Sequence, residues 1–279
     1  MRIVSFNILS DDFVEFQDSK FIKRWYNGID PERLRLHNRL PKLLQKMESF
    51  HSDVFLLQEV MPGARQAIYE HFGDTFYVGP VTRHNMPSVP KAEHSGNMVM
   101  VRKSLCHKRP QFYIGTMGVH APSKDEYTYA SALVVWRHSK SAQRSRSLQR
   151  SRSSQSSYLP PSFLVSLHFS DVQTERAQQA RKFLRDLDQF GPGVDMIIGG
   201  DFNTHSQSLH KRFQRRFYSS IKVPTGTYLC ENPMIDYIYT SAPIKAARID
   251  NQPLEHPGTC YDRTIRDYGS DHYPVVADI

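Results

Sequence analysis

The stretch "IIGGDFNTH", Ile197 to His205, follows an apolar run with two glycines and then places Asp201 and Asn203 two residues apart. The run predicts a buried strand, and side chains two apart on an extended backbone point to the same side. Asp201 and Asn203 are therefore expected to share one target at a strand end. The glycines remove side chains where a loop bends or a ligand approaches the backbone. An ordinary turn explains the same residue types, since Gly, Asp and Asn dominate turns.

Length and composition are those of a globular protein. The chain has 279 residues, 39% of them hydrophobic and 23% charged, and no stretch has the apolar length of a membrane span. Its first residues alternate like a strand and soon reach Asp11 and Asp12, unlike a secretion signal. The three cysteines form neither a metal-type pair nor a disulfide framework. We expect an intracellular protein, cytoplasmic or nuclear and not secreted.

The net charge of +8 is concentrated in one segment. Residues 139–157, "SKSAQRSRSLQRSRSSQSS", hold five basic residues and no acid, and removing these five from +8 leaves +3. The segment has almost no apolar content to offset its ordering entropy, which predicts a disordered loop inserted between two strands. It is either an accessory nucleic-acid contact tunable by phosphorylation or a solvated spacer.

Eight apolar runs predict strands. They are Ile3–Ile8, Val54–Val60, Asn97–Arg102, Ser131–Arg137, Phe163–Phe169, Val194–Gly200, Ile235–Thr240 and Tyr273–Ile279. Many are apolar throughout, so the sheets are expected to be covered on both faces. One helix is predicted from Asp30, with a break or kink at Pro41, and another from Thr174.

Polar residues that suit a cation recur where these strands end. They are Asn7, Glu59, Asp201, Asn203, Asp271 and His272. Carboxylate and amide oxygens favour Mg²⁺, with Mn²⁺ as a substitute, over zinc, since no cysteine set accompanies them. Each residue alone is also explained as a strand end, a bulge or a turn. Asp271 and His272 are adjacent, so both enter one site only if they precede the regular strand or lie on a bulge.

Histidines and a further carboxylate complete the candidate chemistry. His168 and His272 lie in or beside apolar strands, where a lone histidine is usually a core residue. A phosphate-handling site uses histidine as a donor to oxygen or as a proton carrier. Asp236, at the start of a strand, is expected to fix the orientation of one imidazole. No nucleophile elbow accompanies them, which favours attack of water on phosphorus over acyl transfer.

Six motifs together resemble those of the endonuclease/exonuclease/phosphatase superfamily, the DNase I-like fold. In chain order they are "SFNILSD", "LLQEV", "SLHFS", "IIGGDFN", "IDYIYTS" and "SDHYPVV". The resemblance spans Asn7 to His272. It implies an α+β fold, a four-layer α/β/β/α sandwich of two packed mixed β-sheets, as one catalytic domain over residues 1–279. The doubly covered strands agree with that architecture.

The resemblance also implies roles for the acidic and amide residues. Glu59 is then the principal Mg²⁺ ligand, with Asn7 and Asp271 completing or supporting the metal site. Asp201 and Asn203 orient the attacking water and contact the phosphate, and Asp201 also helps to hold a second ion.

The two histidines are implied to contact the phosphate. His272, steered by Asp236, contacts the scissile phosphate and accepts a proton from the water. His168 binds the phosphate or assists the leaving oxygen. The Asn-Thr pair that usually precedes this histidine in the family is Ser166-Leu167 here, a departure from the pattern.

The segment "LHKRFQRRFYSS", Leu209 to Ser220, interleaves basic residues with aromatic ones. The basic residues are Lys211, Arg212, Arg215 and Arg216, and the aromatic ones are Phe213, Phe217 and Tyr218. Basic side chains suit a phosphate backbone, and aromatic side chains stack on unpaired bases. An amphipathic helix with a buried aromatic stripe explains the same pattern, and both interpretations stay open. Asn97 is a further candidate for substrate binding.

The fold does not name the substrate. The opening "FNILSD" and the helix before "DVFLLQEV" are most similar to the nocturnin and poly(A)-deadenylase branch. We expect a Mg²⁺-dependent phosphodiesterase acting on nucleic acid as a 3′–5′ RNA exonuclease. The alternative is a DNA repair endonuclease or phosphodiesterase of the abasic-site or tyrosyl-DNA type. An inositide or lipid phosphatase and an inactive binding module are less favoured.

Partners are expected to be nucleic acid, RNA over DNA, with no membrane and a monomeric chain. No recruitment domain is evident beside the motifs. Substrate choice is therefore expected to come from surface loops, such as residues 139–157 and 80–96, or from a separate recruitment protein.

Overall fold

The computed structural model of the protein describes most of the chain. The described residues are 1–11, 26, 29–84, 94–119, 126–137, 160–190, 194–204, 206–220, 234–250 and 260–279. The predicted Ser/Arg-rich insertion at 139–157 lies outside them.

Twelve strands in the described residues form two sheets of six. They are β1 (Arg2–Asn7), β2 (Val54–Val60), β3 (Phe76–Val78), β4 (Gly96–Arg102), β5 (Gln111–Val119), β6 (Glu126–Val134), β7 (Ser162–His168), β8 (Asp195–Asp201), β9 (Tyr218–Ser219), β10 (Asp236–Thr240), β11 (Ala246–Ile249) and β12 (Val275–Asp278). The first sheet has the order β11-β12-β1-β2-β4-β3 and the second β5-β6-β7-β8-β10-β9. Each sheet is mixed: one parallel pair, β1 with β2 or β7 with β8, lies at its centre among antiparallel neighbours.

Helices cover the outer faces. They are α1 (Pro31–Leu34), α2 (Leu36–Ser49), α3 (Pro62–Phe72), α4 (Gln173–Leu187), α5 (Gln207–Gln214) and α6 (Cys260–Tyr268). Within the described residues, none is long and apolar enough to cross a membrane.

Three apolar layers hold the sandwich together. Alternate residues of β1, such as Val4, pack with Leu43 of α2 on the outside of the first sheet. Alternate residues of β7, such as Val165, pack with Phe183 of α4 outside the second sheet. The opposite faces of the strands meet between the sheets, where Ile3 belongs to the central cluster. The predicted four-layer α/β/β/α architecture is confirmed, and the strands are apolar throughout because both faces are buried.

All eight predicted strands are present, with shifted ends. The largest shift is in the strand predicted at Ser131–Arg137, which runs from Glu126 to Val134. Its first half, "EYTY", alternates polar and aromatic residues and was not recognised as strand. The short edge strands β3, β9 and β11 were also missed, since two to four residues carry little periodicity.

The predicted break of the first helix at Pro41 is wrong. Pro41 lies inside α2, and the chain breaks at Arg35, whose backbone is extended with ψ 136°. Leu36 N–H donates to the carboxylate of Asp11 at 2.7 Å, so a residue distant in sequence caps the new helix. A tertiary cap of this kind has no local sequence signal.

The two glycines before Asp201 serve packing. A Cβ on Gly199 would lie 2.6 Å from Leu56 Cδ1 of the opposite sheet, and one on Gly200 would lie 1.9 Å from the carbonyl oxygen of Leu167. The expectation of a bend or a ligand at these glycines is therefore wrong. They allow neighbouring strands and sheets to approach closely.

Candidate active site

The polar strand ends predicted from sequence meet at one edge of the sandwich. Asn7 ends β1 and Glu59 lies near the end of β2, in the first sheet. In the second sheet Asp201, at the end of β8, is in register with His168 on one side and Asp236 on the other. The two sheets thus present their polar ends to a common space.

Asn7 links the groups from both sheets. Its Nδ2 lies 2.6 Å from Glu59 Oε1, 3.2 Å from Asp201 Oδ2 and 3.4 Å from His272 Nε2. Its Oδ1 accepts the Leu9 N–H at 3.1 Å. The amide therefore donates to the two carboxylates in this geometry, and its oxygen is turned away from them.

Glu59 is held on a distorted piece of strand. The pairing of β2 with β4 shifts register between Leu57 and Val60, and Glu59 has a left-handed φ of 57°. Its Oε2 accepts the Ser10 N–H at 2.8 Å. Burial raises the pKa of Glu59 to about 7, and the negative charge of Asp271 adds to the shift.

Asp201 and Asn203 share the site through a turn. The expected extended backbone is wrong, because Asn203 has a left-handed φ of 49° and its N–H donates to Asp201 Oδ1 at 2.7 Å. The Asn203 Nδ2 donates to the carbonyl of Phe169 at 2.8 Å and lies 3.0 Å from His168 Nε2. Burial, with the charge of Asp236, raises the pKa of Asp201 well above its usual range. From the sequence, an ordinary turn and a shared target were alternative explanations of Asp201 and Asn203. The structure contains the turn and also brings both side chains to one place.

His272 forms the predicted pair with Asp236. Its Nδ1 lies 2.9 Å from Asp236 Oδ2, which places a proton on Nδ1. Its Nε2 lies 3.8 Å from Asp201 Oδ2 and 3.9 Å from Asp271 Oδ1. Burial lowers the pKa of His272, but the carboxylates of Asp236 and Asp271 outweigh it, so the net shift is well above the usual range.

Asp271 and His272 both precede the regular strand, because β12 begins only at Val275. The expectation about their backbone is confirmed. Asp271 Oδ2 accepts the Tyr26 hydroxyl at 2.7 Å, whereas its buried Oδ1 has no hydrogen-bond partner among the described residues. The Ser270 hydroxyl donates to the Asn7 carbonyl at 2.7 Å, which ties this loop to the end of β1.

The donor set fits a divalent cation. Ligand atoms of Glu59, Asp201 and His272 all lie within 4.8 Å of one another, and Asp271 adds a buried oxygen that no described residue hydrogen-bonds. Two carboxylates with raised pKa values and a third beside them are costly to bury together, and a bound cation offsets that cost. The oxygen-rich set suits Mg²⁺ or Mn²⁺ better than a softer metal.

His168 lies within the same cluster. Its Nε2 is 3.6 Å from Asp201 Oδ2 and 4.0 Å from Glu59 Oε1. Burial, followed by the neighbouring His84 and His272, lowers its pKa well below the usual range, so the ring is neutral near pH 7.

The Ser166-Leu167 pair that departs from the family pattern has a structural use. Ser166 Oγ donates to the Leu57 carbonyl at 2.7 Å and accepts from Gln58 Nε2 at 2.8 Å. These bonds join the two sheets beneath the site.

The predicted substrate-binding residues fall into two groups. Lys211, Arg212, Arg215 and Arg216 are exposed on α5 and just after it. Arg216 is paired with Asp188 at 2.7 Å. Phe213 and Phe217 are buried in the core, so of the aromatic residues in this segment only Tyr218, 54% exposed, is available for stacking. Asn97 is fully buried beside Thr128, at the start of β4.

Sequence reasoning missed two residues that contact the site. Tyr26 holds Asp271, and the position of Tyr26 in the chain gives no signal. Arg39 is 2% exposed and hydrogen-bonds the carbonyls of Ile8, Leu9 and Gly269, which flank the site. A signal for Arg39 existed, because a charged residue three after Leu36 falls on the apolar stripe of α2.

Comparison with known proteins agrees with this geometry. The sequence model of the Endonuclease/Exonuclease/phosphatase family matches residues 4–272. No curated protein sequence matches the chain.

Solved structures share the fold at low identity. An endonuclease/exonuclease/phosphatase from Bacteroides vulgatus has a TM-score of 0.63 at 16% identity, covering 99% of this chain and 97% of that one. The human Nocturnin catalytic domain with bound sulfate has a TM-score of 0.61 at 14% identity, and the match covers 100% of this chain and 92% of that one. D. rerio TDP2 complexed with a single-strand DNA product also has a TM-score of 0.61 at 14% identity, and the match covers 99% of this chain and 97% of that one. From the family match over nearly its whole length, the chain belongs to the Endonuclease/Exonuclease/phosphatase family.

Proposed function

We propose that this protein is a divalent-metal-dependent phosphodiesterase that hydrolyses nucleic acid, acting as a 3′–5′ RNA exonuclease. The observation that carries the chemistry is the buried cluster of Glu59, Asp201 and His272, with ligand atoms within 4.8 Å of one another. Family membership supports it, since the family match covers residues 4–272 and so includes all three residues.

The proposed roles follow from the contacts. Glu59 and Asp271 would hold Mg²⁺, or Mn²⁺ as a substitute, with Asp201 beside them, and a bound cation would neutralise charge on the phosphate oxygens. Asn7, which donates to Glu59 and Asp201, positions both carboxylates. Asp201 orients the attacking water with an oxygen that points into the cluster.

Asp236 holds the proton on His272 Nδ1, so that Nε2 faces the cluster. We propose that His272 Nε2 contacts the phosphate. The side chains of His168 and Asn203, 3.0 Å apart, contact it from the second sheet. All these groups are held in place before substrate arrives, which is the arrangement that electrostatic catalysis requires.

The preference for RNA rests on the local similarity to the nocturnin branch, and the surface supports a single-stranded nucleic acid as the substrate. Lys211 and Arg212 are exposed on a helix that begins six residues after Asp201, and Arg215 is exposed directly after that helix. Their charges suit a phosphate backbone, and the exposed Tyr218 ring suits an unpaired base.

A DNA phosphodiesterase is the second candidate. The observation in its favour is that TDP2, whose fold this chain shares, is seen with a single-strand DNA product. The same cluster would serve it, because the hydrolysed bond is chemically the same. The abasic-site and tyrosyl-DNA types belong to this candidate.

The test is a time course with 5′-labelled single-stranded RNA ending in oligo(A), with Mg²⁺ present. Asp201→Ala is the inactive variant, and Asp74→Ala, an exposed carboxylate away from the site, is the matched control. We expect a ladder shortening from the 3′ end with the unsubstituted protein and with Asp74→Ala, and intact RNA with Asp201→Ala. Intact RNA in all three reactions contradicts the RNA proposal, and abasic or tyrosyl-linked DNA is then the substrate to test.

We further propose that the protein acts as a monomer inside the cell, in the cytoplasm or nucleus, and that a separate protein recruits it to its substrate. Size-exclusion chromatography with light scattering checks the first point, and microscopy of the tagged full chain checks its location.

A further inference from the structure

Two side chains next to the site are anchored to one residue of β6. The Thr128 N–H donates to His84 Nδ1 at 3.2 Å, and Asn97 Nδ2 donates to the Thr128 carbonyl at 2.7 Å. The N–H and C=O of one strand residue point to the same side, so both side chains lie along one edge of β6. Neither contact belongs to the phosphodiesterase chemistry described above.

These anchors place the pair beside His168. The ladder between β6 and β7 ends where Tyr129 faces Leu167, one residue before His168. Thr128, which precedes Tyr129 in β6, instead bonds Asn97 of β4 and His84, which follows β3 in the chain. The His84 and His168 rings are accordingly 5.7 Å apart, centroid to centroid, in an edge-to-face contact.

The far ends of both side chains are left without partners. His84 is 1% exposed and Asn97 is fully buried, yet neither His84 Nε2 nor Asn97 Oδ1 has a hydrogen-bond partner among the described residues. The pair borders the candidate active site through His168, whose ring contacts His84 and whose Nε2 lies 3.6 Å from Asp201 Oδ2. Buried polar atoms without partners are rare in folded proteins, and a ligand is one explanation for them.

The hydrogen bonds to Thr128 also determine that one of the two remaining atoms, His84 Nε2 and Asn97 Oδ1, is a donor and the other an acceptor. Burial, with the nearby His94, lowers the pKa of His84 to about 4, so the ring is neutral at pH 7. Its Nδ1 accepts from Thr128, which leaves the proton on Nε2. Asn97 donates through Nδ2, which leaves Oδ1 as an acceptor. The pair therefore offers one donor and one acceptor.

A hydroxyl group matches such a pair. A phosphate oxygen only accepts and would leave Asn97 Oδ1 unpaired, and an ammonium group only donates and would leave His84 Nε2 unpaired. A hydroxyl accepts from one and donates to the other. In a nucleic acid, the hydroxyl closest to a phosphodiester is that of the ribose.

We propose that His84 Nε2–H and Asn97 Oδ1 bind a ribose 2′-hydroxyl of the substrate and so select RNA over DNA. This inference rests on the proposed nucleic-acid phosphodiesterase function and names its substrate class. With a deoxyribose in place, both buried groups stay unpaired, and a site that leaves its polar groups unpaired discriminates strongly against such a substrate.

The experiment compares kcat/KM on three oligonucleotides of one sequence, with ribose, 2′-deoxyribose or 2′-fluororibose throughout. His84→Asn is the variant, because its side-chain oxygen can still accept from Thr128 while the donor at the Nε2 position is lost. His37→Asn, on the exposed side of α2, is the matched control. Thermal unfolding of both variants shows that they are folded.

We expect kcat/KM of the unsubstituted protein and of His37→Asn to be about ten- to a hundredfold higher on the ribose substrate than on the deoxyribose substrate. This ratio is the one expected from the loss of one to two hydrogen bonds. The preference should fall toward unity in His84→Asn. The 2′-fluoro substrate cannot donate to Asn97 and should behave like the deoxy substrate. An unchanged ribose preference in folded His84→Asn overturns the proposal and indicates that a buried water fills the pair.

A second measurement keeps this inference separate from the proposed function. If none of the oligonucleotides is hydrolysed, the exonuclease proposal fails, and calorimetry then compares binding of adenosine 5′-monophosphate with that of its 2′-deoxy form. Tighter binding of the ribonucleotide, lost in His84→Asn, supports the hydroxyl site. Equal affinities overturn it.

Discussion

At the scale of single residues, Glu59 shows how backbone and chemistry are coupled. It is a non-glycine residue with φ 57° at a register shift of β2, a conformation that costs free energy of order 1–3 kcal/mol. The shift turns its carboxylate toward Asn7 and the Ser10 N–H. Strain that the surrounding fold maintains in this way is concentrated at functional sites in proteins.

Replacement of Glu59 by Gln tests its role in holding the metal. The side chain keeps its size but loses the charge, so we expect Mn²⁺ affinity, measured by calorimetry, to fall at least about tenfold, or 1.4 kcal/mol. Stability to urea should fall modestly, by about 1–3 kcal/mol, because Gln has one oxygen for two buried donors, Asn7 Nδ2 and the Ser10 N–H. Glu48→Gln, whose side chain is 67% exposed, is the control. Equal Mn²⁺ affinity in both variants would exclude Glu59 as a ligand.

At the scale of elements, α2 fixes the two loops that carry the metal-site residues. Arg39 of α2 donates to the carbonyls of Ile8 and Leu9, directly after Asn7, and to that of Gly269, two residues before Asp271. Burial lowers the pKa of Arg39 from its usual value, although its guanidinium stays charged and is paired with Asp11 at 3.2 Å. One side chain thus joins a helix to the two chain segments that flank the site.

Arg39→Met should damage both stability and the site. Removing the guanidinium leaves several buried carbonyls without their donor and Asp11 without its cationic partner, which costs about 3 kcal/mol or more in urea unfolding. Arg39→Lys retains the charge but cannot reach all these carbonyls, so we expect it to fold and to bind Mn²⁺ more weakly. Lys42→Met, exposed on the same helix, is the control for both. Mn²⁺ affinity equal to that of the unsubstituted protein in folded Arg39→Lys would show that Arg39 serves stability alone.

At the scale of the whole molecule, the site exists only when the two sheets are packed. Asn7 contacts Glu59, Asp201 and His272, which are 52, 194 and 265 residues away in the chain. No segment alone contains a complete ligand set, so the unfolded chain should bind Mg²⁺ weakly. Binding to the folded state alone is linked to stability.

We therefore expect Mg²⁺ to stabilise the protein against unfolding. At a free concentration a hundredfold above Kd, the gain is about 2.7 kcal/mol, seen as a higher midpoint in urea. Asp201→Ala removes one carboxylate of the cluster and should abolish most of the gain, whereas Asp74→Ala should keep it. An equal gain in all three proteins would mean that the ion binds elsewhere.

Much of the fold could be predicted from local pattern, and the misses share one cause. Apolar strands and amphipathic helices leave a periodic signal, so the layers were predicted correctly. The helix break at Arg35 depends on Asp11, and the close approach at Gly199 depends on Leu56. Contacts between distant segments leave no trace in a window of ten residues.

The candidate site was predicted as a set of residues but without its geometry. The motifs identified Asp236 and His272 as a pair, and the structure places them 2.9 Å apart. Nothing local indicates that Glu59 lies on a register shift, or that His84 and Asn97 meet at Thr128.

The family, the layered architecture and the chemical groups at the strand ends follow from the amino-acid sequence, because periodicity and motif order are properties of the chain. Which oxygens and nitrogens face one another follows from the packing of the two sheets, since that packing sets the distances between them. Selectivity for the sugar, as proposed for His84 and Asn97, depends on that same packing. Both side chains reach the backbone of Thr128 because the ladder between β6 and β7 ends one residue short of His168.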